Sequence, residues 1–408
     1  MVKQAVILVG GYGTRLGNLT RNTPKPYLEV LNKPFIEHII QNLSRYGIEE
    51  VLLFSSYKSE VFVRKYHEKK IYSVKIKVMI ELEPMGTGGG LLEFYDHLET
   101  KFFLINGDTY LDVDLKAVSD FSNNIESGAI ICSSFQTDTR RFGSITIDEN
   151  NLVTEFIEKN SKTTTQGYIN AGHYLFFKNT LNHFQKDTLS IEKDIFPELK
   201  RKEELYAFKT DGFFLDIGIK ESFYKSSELM KDALKKPALF LDRDGTINYD
   251  KGYTHKIEDL KFIPGIEDLV RYFNNLEYYV IVVTNQGGIS KKLFTEEEMI
   301  EFNQKLRSEL SDKHKCRIDH IYYCPHHPDA VLKIDRECSC RKPKNGLLRK
   351  AVDEFHIDKK KSLIVGDKKS DVIAGESIDI RGHLFNSENI FDSVMEYVEK
   401  DFYIKNGL

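Results

Sequence analysis

Short, nearly unbroken apolar runs alternate with longer amphipathic stretches along the whole chain. In the first half "QAVILVG" from Gln4, "EEVLLFSS" from Glu49 and "FFLINGD" from Phe102 read as strands. In the second half "ALFLD" from Ala238, "YYVIVVTN" from Tyr278, "IDHIYYC" from Ile318 and "SLIVGD" from Ser362 do the same. Between them, "PFIEHIIQNLSRYG" and "TEEEMIEFNQKLRSEL" carry helical spacing. Strand and helix in this rhythm predict an α/β protein with mainly parallel sheets flanked by helices. Such sheets bind ligands at the carboxyl ends of their strands. The polar residues at those ends are Gly10, Asp108, Asp242, Thr284 and Asp367. The rhythm restarts after "LMKDALKKPAL", where a helix ends at Lys235–Lys236 and Pro237 precedes a new first strand. Two domains are expected, 1–235 and 236–408.

Composition adds limits. A chain of 408 residues, 41% hydrophobic and 29% charged, suits two globular cores. The net charge of −4 argues against nucleic acid as a partner held by bulk positive charge. The N-terminal apolar run is short and enters a glycine turn without a cleavage site, so no signal peptide is expected. No apolar stretch is long enough to span a membrane. The cytoplasm is the expected location. Of five cysteines, Cys324, Cys338 and Cys340 crowd beside histidines, a pattern that favours metal over disulfides. Cys132 and Cys316 read as core or surface thiols.

The first half opens a phosphate site. "GGYGTRL" places Gly10, Gly11 and Gly13 straight after a strand, followed by Thr14 and Arg15. Glycines let backbone N–H groups approach a triphosphate, and arginine offers a two-pronged donor. Lys25 lies between Pro24 and Pro26, which fix the backbone on both sides of it. With "EPMGTGGGL" from Glu83, "INGDTY" around Asp108, "EFIEK", "YINAGHYLF" and "FFLDIGIKESF", this half resembles the sugar-phosphate nucleotidylyltransferases. In wording it is nearest to the heptose 1-phosphate and mannose 1-phosphate guanylyltransferases. The resemblance implies a Rossmann-like nucleotidyltransferase domain. Arg15 and Lys25 would steady the triphosphate, and Asp108 and Asp216 would hold Mg²⁺. Gly86, Thr87 and Gly88 would face the nucleotide. Glu158, Lys159 and Asn170 would touch the sugar phosphate. Phe214 stands where many relatives have tryptophan.

The second half opens differently. "FLDRDGT" sets Asp242 at a strand end and Asp244 two residues on. One carboxylate can attack phosphorus, and a second can move the proton. Thr284 and Asn285 offer a hydroxyl and an amide to phosphate. Arg341 and Lys342 offer charge, and Asp367 and Asp371 offer carboxylates for Mg²⁺ or for holding the lysine. Together these resemble the haloacid-dehalogenase-type phosphatases. The resemblance implies Asp242 as nucleophile, Asp244 as acid/base, and Thr284 and Lys342 on the phosphoryl group. Mg²⁺ would sit on Asp242, Asp367 and the Asp244 carbonyl. "CPHHPDAVLKIDRECSC" supplies Cys324, Cys338, Cys340 and one histidine, a closed S₃N set that suits structural Zn²⁺. Spacing leaves His326 and His327 open, and resemblance favours His326. The zinc loop narrows the likeness to heptose 1,7-bisphosphate phosphatases, with histidinol-phosphate phosphatases carrying a similar loop. Lys291–Lys292 replaces the arginine–glycine of many relatives.

The two resemblances meet in one pathway. Loss of the 7-phosphate from a heptose 1,7-bisphosphate leaves a sugar 1-phosphate, which a guanylyltransferase consumes with GTP. The expectation is a bifunctional enzyme acting on small molecules, making GDP-heptose for surface polysaccharide. Transferases of this kind often associate, so a homo-oligomer is allowed. Other sugars or nucleotides, or a first half that only senses sugar nucleotides, are the alternatives.

Overall fold

A computed structural model describes residues 2–83, 85–157, 166–185 and 189–406. The chain divides into two units between Met230 and Lys231, within the helix Lys220–Leu234.

The first unit is built on β1 (Gln4–Leu8), β2 (Glu50–Ser55), β3 (Val74–Ile80) and β4 (Lys101–Asn106). Their order is β4-β1-β2-β3, and all three pairings are parallel. Helices α1 (Phe35–Arg45), α2 (Ser59–Tyr66) and α3 (Gly86–Glu93) connect them. On α1 nearly every side chain is buried, because the helix lies against the sheet. The chain reverses its direction across the sheet between β1 and β4, and loops part there to leave a crevice. Gly107 closes the floor of that crevice. Its N–H donates to the Leu8 carbonyl at 3.0 Å, and a Cβ at this position would press on the same oxygen.

Beyond β4 the sheet turns antiparallel. β5 (Ala129–Gln136) and β6 (Gly167–Phe177) pair with each other, and β6 also pairs with β4. The hairpin Ser144–Ile147/Val153–Ile157 extends the edge, and the strand Leu205–Thr210 lies parallel to β5. The apolar runs read as strands are found, and this antiparallel wing is added to the parallel core. Phe102, Phe176, Tyr174 and Phe196 pack under it.

The second unit is a five-stranded, wholly parallel sheet. It contains β7 (Ala238–Leu241), β8 (Tyr279–Asn285), β9 (His320–Cys324), β10 (Leu363–Gly366) and β11 (Arg381–Leu384). The order β9-β8-β7-β10-β11 is doubly wound with β7 at the centre. The inner strands β7, β8 and β10 read as continuous apolar runs because both faces are covered, whereas the edge strands β9 and β11 are partly exposed. Leu239, Leu241, Val280 and Val282 fill one face, and Phe240, Ile281 and Val283 the other. The amphipathic end of the chain forms the helix Ile390–Asn406, whose Ile390 and Val394 complete the first of these faces. No helix among the described residues is long and apolar enough to cross a membrane.

Candidate active sites

In the first unit a cavity of about 360 Å³ opens at the carboxyl ends of β1 and β4. It is lined by Gly11, Arg15, Lys25, Thr87, Asn106, Asp108, Asn170 and Asp216, among others. Gly13 turns the chain with φ +63°, and its carbonyl accepts from Thr20 Oγ1 at 2.9 Å. Pro26 is buried behind Lys25, whose ammonium pairs with Asp108. Burial pushes the Asp108 carboxyl up, but Lys25 outweighs it and the net shift is downward. Asp216 ends a short strand, Phe214–Asp216, which pairs with Thr109–Leu111 and so stands beside Asp108. Burial first, then the charge of Asp108, raises its pKa. The two adjacent half-buried carboxylates have opposed shifts and offer the hard oxygen atoms that divalent cations take as ligands.

The glycines divide by task. Gly11 has nothing within 4 Å of where a Cβ would stand and faces the cavity, whereas Gly10 packs on Ser56 and Gly13 on Thr20. Neither these two nor Thr14 lines the cavity. Gly86 and Gly88 do not line it either. A Cβ on Gly86 would collide with the Leu189 carbonyl, and one on Gly88 with Ile195, while the Gly88 N–H donates to Leu189 at 2.8 Å. Their smallness admits the Leu189 segment, and Thr87 between them faces the cavity. Glu158 and Lys159 lie outside the described residues. Sequence reasoning passed over Asn106, Glu192 and Arg141. Arg141 reaches Asp216 at 3.7 Å. Arg141 carried one signal, its place in a "TRRFG" turn.

In the second unit Asp242 leaves the end of β7, Thr284 lies near the end of β8, and Asp367 follows β10. Lys342 is buried between carboxylates, 2.9 Å from Asp242 Oδ1 and 2.7 Å from Asp371 Oδ1, and donates to the Val283 carbonyl at 2.6 Å. Its pKa rises: burial opposes the charge, but the two aspartates prevail. Burial lifts the Asp242 carboxyl to about 6, with Lys342 pulling down and Asp371 pushing up. Gly245, at φ +87°, has no room for a Cβ because the Asp367 carboxylate packs against it.

Asp242, Asp367 and Asp371 form a cluster whose oxygens lie within 4.8 Å of one another. Asp242 Oδ1 already faces the Lys342 ammonium, whereas Oδ1 of Asp367 is buried without a hydrogen bond, which suits a cation. The Asp244 side chain is not part of that cluster. Its carboxylate accepts from Arg243 Nε and Nη2 at 3.0 and 2.8 Å, Asn248 Nδ2 at 3.0 Å and Gln286 Nε2 at 2.8 Å. Only its carbonyl is left for a metal role. Asn285, expected on phosphate, turns instead to Lys342. It donates to the Lys342 carbonyl at 3.1 Å and accepts from the Lys342 N–H at 3.0 Å. Gln286 links Asp244 to Thr284 Oγ1 at 2.9 Å. Arg243 and Gln286 went unread because both sit inside or beside motifs whose variable positions carry no pattern.

Cys324, His326, Cys338 and Cys340 converge, and His327 is not part of the cluster. The Cys324 sulfur is 3.7 Å from that of Cys338 and 3.0 Å from that of Cys340, and His326 Nδ1 is 3.3 Å from Cys340 Sγ. Zinc–sulfur bonds of about 2.3 Å in a tetrahedron would set sulfurs about 3.8 Å apart. His327 instead accepts from the Asp329 N–H at 3.0 Å. Arg341, next to the cluster, donates to the His326 carbonyl at 3.1 Å, so the loop fixes the backbone that carries Lys342. Cys132 and Cys316 are buried, and burial pushes their thiols to about 12 and about 11.

These features define two phosphoryl-transfer sites, a nucleotide crevice in one α/β unit and an aspartate-based phosphatase centre in another. The chain matches the Nucleotidyl transferase family model over residues 4–233, more than half its length, and belongs to that family. Residues 238–400 match the Polynucleotide kinase 3 phosphatase model. A D-glycero-alpha-D-manno-heptose 1-phosphate guanylyltransferase of Campylobacter jejuni is 38% identical over 221 residues, 54% of this chain and 97% of that protein. A D-glycero-beta-D-manno-heptose-1,7-bisphosphate 7-phosphatase of Haemophilus influenzae is 42% identical over 138 residues, 34% of this chain and 74% of that one. The solved structure of HddC from Yersinia pseudotuberculosis superposes with a TM-score of 0.51 at 33% identity, covering 56% of this chain and all of that chain.

Proposed function

We propose that the chain is a bifunctional enzyme of GDP-heptose synthesis in the cytoplasm. The second unit removes the 7-phosphate of a D-glycero-D-manno-heptose 1,7-bisphosphate. The first transfers GMP from GTP to the resulting heptose 1-phosphate and releases pyrophosphate. The observation that carries this reading is that one chain holds both acid sets, Asp108 with Asp216 and Asp242 with Asp367, each with its cation, Lys25 or Lys342. The guanylyltransferase and phosphatase relatives support it from either side.

In the phosphatase unit an Asp242 oxygen attacks phosphorus and the sugar oxygen leaves, taking a proton from Asp244, which carries one once its carboxyl has turned out of its hydrogen bond to Gln286. Water deprotonated by Asp244 then cleaves the aspartyl phosphate. Thr284 and Lys342 bind the phosphoryl oxygens, and Asn285 holds Lys342. In the nucleotidyl unit the sugar phosphate oxygen attacks the α-phosphorus, with Arg15 and Lys25 offsetting the charge. Mg²⁺ would be held by Asp108 and Asp216, and by Asp242, Asp367 and the Asp244 carbonyl. When bound it supplies charge neutralisation. Zn²⁺ fits the S₃N set as a closed structural site.

The relatives' names differ in anomer, alpha for the guanylyltransferase and beta for the phosphatase. A sequential route through one chain needs the alpha bisphosphate. The test is incubation with each anomer of the bisphosphate and each nucleoside triphosphate, with products identified by mass and NMR. GDP-heptose from the alpha anomer and GTP is expected, whereas release of phosphate without any sugar nucleotide would refute the joint reading. Mannose 1-phosphate is the second reading, since a Drosophila melanogaster mannose-1-phosphate guanylyltransferase subunit is 35% identical over 57% of this chain. It belongs in the same assay.

A further inference from the structure

The nucleotidyl cavity has a wall that the roles above leave unused. Ile191–Ile195 forms a single π-helical turn, a rare local fold that gathers at functional sites. Glu192 on that turn is half-buried and lines the same cavity as Arg15, Lys25 and Asp108. The surrounding structure aims it there. Gly86, at φ +78°, and Gly88 leave room for Leu189 to press onto the start of α3. Thr87 Oγ1, between them, accepts from the Ile191 N–H at 2.9 Å and donates to Glu192 Oε2 at 3.3 Å. Ser190 Oγ donates to the same oxygen at 3.2 Å. Among the described residues no hydrogen bond ends on Oε1. A carboxylate steered by hydroxyls on one oxygen has acceptor capacity left on the other.

The cavity's chemistry says what that capacity meets. Arg15 and Lys25 mark where phosphates lie, and an anion would repel them. The partner of Glu192 is therefore an uncharged donor. Phe142, Phe156 and Phe214 line the cavity as well, and Phe142 meets Phe214 edge-on at 5.2 Å. Phenyl surface beside an acceptor carboxylate suits a pyranose, with its C–H face on the rings and its hydroxyls on the acid. We propose that Glu192 reads ring hydroxyls of the sugar 1-phosphate, and that the glycine–threonine start of α3 serves to hold it in place. This rests on the nucleotidyl-transfer reading of the cavity.

The test is steady-state kinetics of Glu192→Gln and Glu192→Ala with heptose 1-phosphate, mannose 1-phosphate and their monodeoxy analogues. Losing a hydrogen bond to a charged group is expected to raise the KM for sugar 1-phosphate about 10- to 100-fold in Glu192→Ala, and less in Glu192→Gln. The KM for GTP should stay within about two-fold. The analogue lacking the hydroxyl that Glu192 reads should be poor for the unaltered enzyme and lose nothing further in Glu192→Ala. The near-isosteric Glu192→Gln, with its thermal shift on adding GTP, verifies the fold. An unchanged KM for sugar, an equal rise in both KM values, or the same penalty on every analogue overturns the proposal. If the unaltered enzyme makes no sugar nucleotide from any sugar 1-phosphate, the nucleotidyl-transfer reading falls first, a result separable from the other three.

Discussion

Arg243, between Asp242 and Asp244 in the chain, is fully buried and bonds through all three of its guanidinium nitrogens. Besides its fork on Asp244, it donates to Asn303 Oδ1 at 2.9 Å, the Thr254 carbonyl at 2.5 Å and Gln286 Oε1 at 3.1 Å, and lies 4.6 Å from the Phe302 ring centre. Lysine cannot reproduce that planar set of donors. Arg243→Lys should therefore lower phosphatase kcat by about 100-fold, the usual scale for a mispositioned acid/base, while leaving nucleotidyl transfer unchanged. Arg243→Met leaves Asp244 without its counter-ion, and removing one partner of a buried pair costs about 3–5 kcal/mol. Thermal unfolding of the second unit should show that loss, and a melting profile identical to the unaltered protein would contradict the assignment. A second residue, His173 on β6, is 3% exposed, and burial lowers its pKa to about 4, against a bond to the Ala171 carbonyl that acts the other way. The folded state thus binds fewer protons than the unfolded chain below pH 6.5. Its contribution is complete above that pH and is lost as the pH falls toward 4, at about 1.4 kcal/mol per pH unit. Urea titrations between pH 7 and 4.5 should show a shallower decline for His173→Gln.

The metal loop is the element whose effect reaches furthest. It runs from Cys324, the last residue of β9, through His326 to Cys338 and Cys340, and the next residues are Arg341 and Lys342. The loop has few apolar anchors of its own, since Val331, Leu332 and Ile334 are exposed. A bound ion would take the place of a core there. Chelation should release about one zinc per chain, by the four-ligand count, and abolish phosphatase activity because Lys342 loses its fixed backbone. Nucleotidyl transfer should persist. A zinc-free protein with full phosphatase activity would sink the structural-zinc reading. This element also shows what a sequence makes legible. The three cysteines of the cluster were readable because sulfur and imidazole at close spacing have few other uses. The choice of His326 over His327 needed coordinates, because both stand within reach of one turn. The central strands, such as Ala238–Leu241 and Leu363–Gly366, were readable because they are buried throughout, whereas the half-buried edge strand Arg381–Leu384 carries no apolar run. The tasks of Gly86, Gly88 and Asn285 were not, since a glycine records only that something approaches, and an amide records only that something bonds. The neighbours that decide, Leu189 and the Lys342 backbone, lie 101 and 57 positions away from Gly88 and Asn285.

At the scale of the whole chain, two complete sites on separate units predict separable activities. Asp242→Asn removes the proposed nucleophile and should abolish phosphate release while nucleotidyl transfer from supplied heptose 1-phosphate continues. Asp108→Ala should do the reverse. The pair then answers a question that neither variant answers alone, how the intermediate travels. Heptose 1-phosphate is charged and strongly hydrated, so nothing in its chemistry binds it to the site that makes it. If it passes through solvent, an equimolar mixture of the two variants fed heptose 1,7-bisphosphate and GTP should form GDP-heptose. The mixture should show a lag while the intermediate accumulates to the KM of the nucleotidyl site, and adding excess Asp108→Ala protein should shorten that lag. The unaltered enzyme at equal site concentrations should then show the same lag. A mixture that lags behind an unaltered enzyme with none would mean direct transfer within one molecule. A mixture that makes no product, from variants each active in its own assay, would exclude free diffusion altogether.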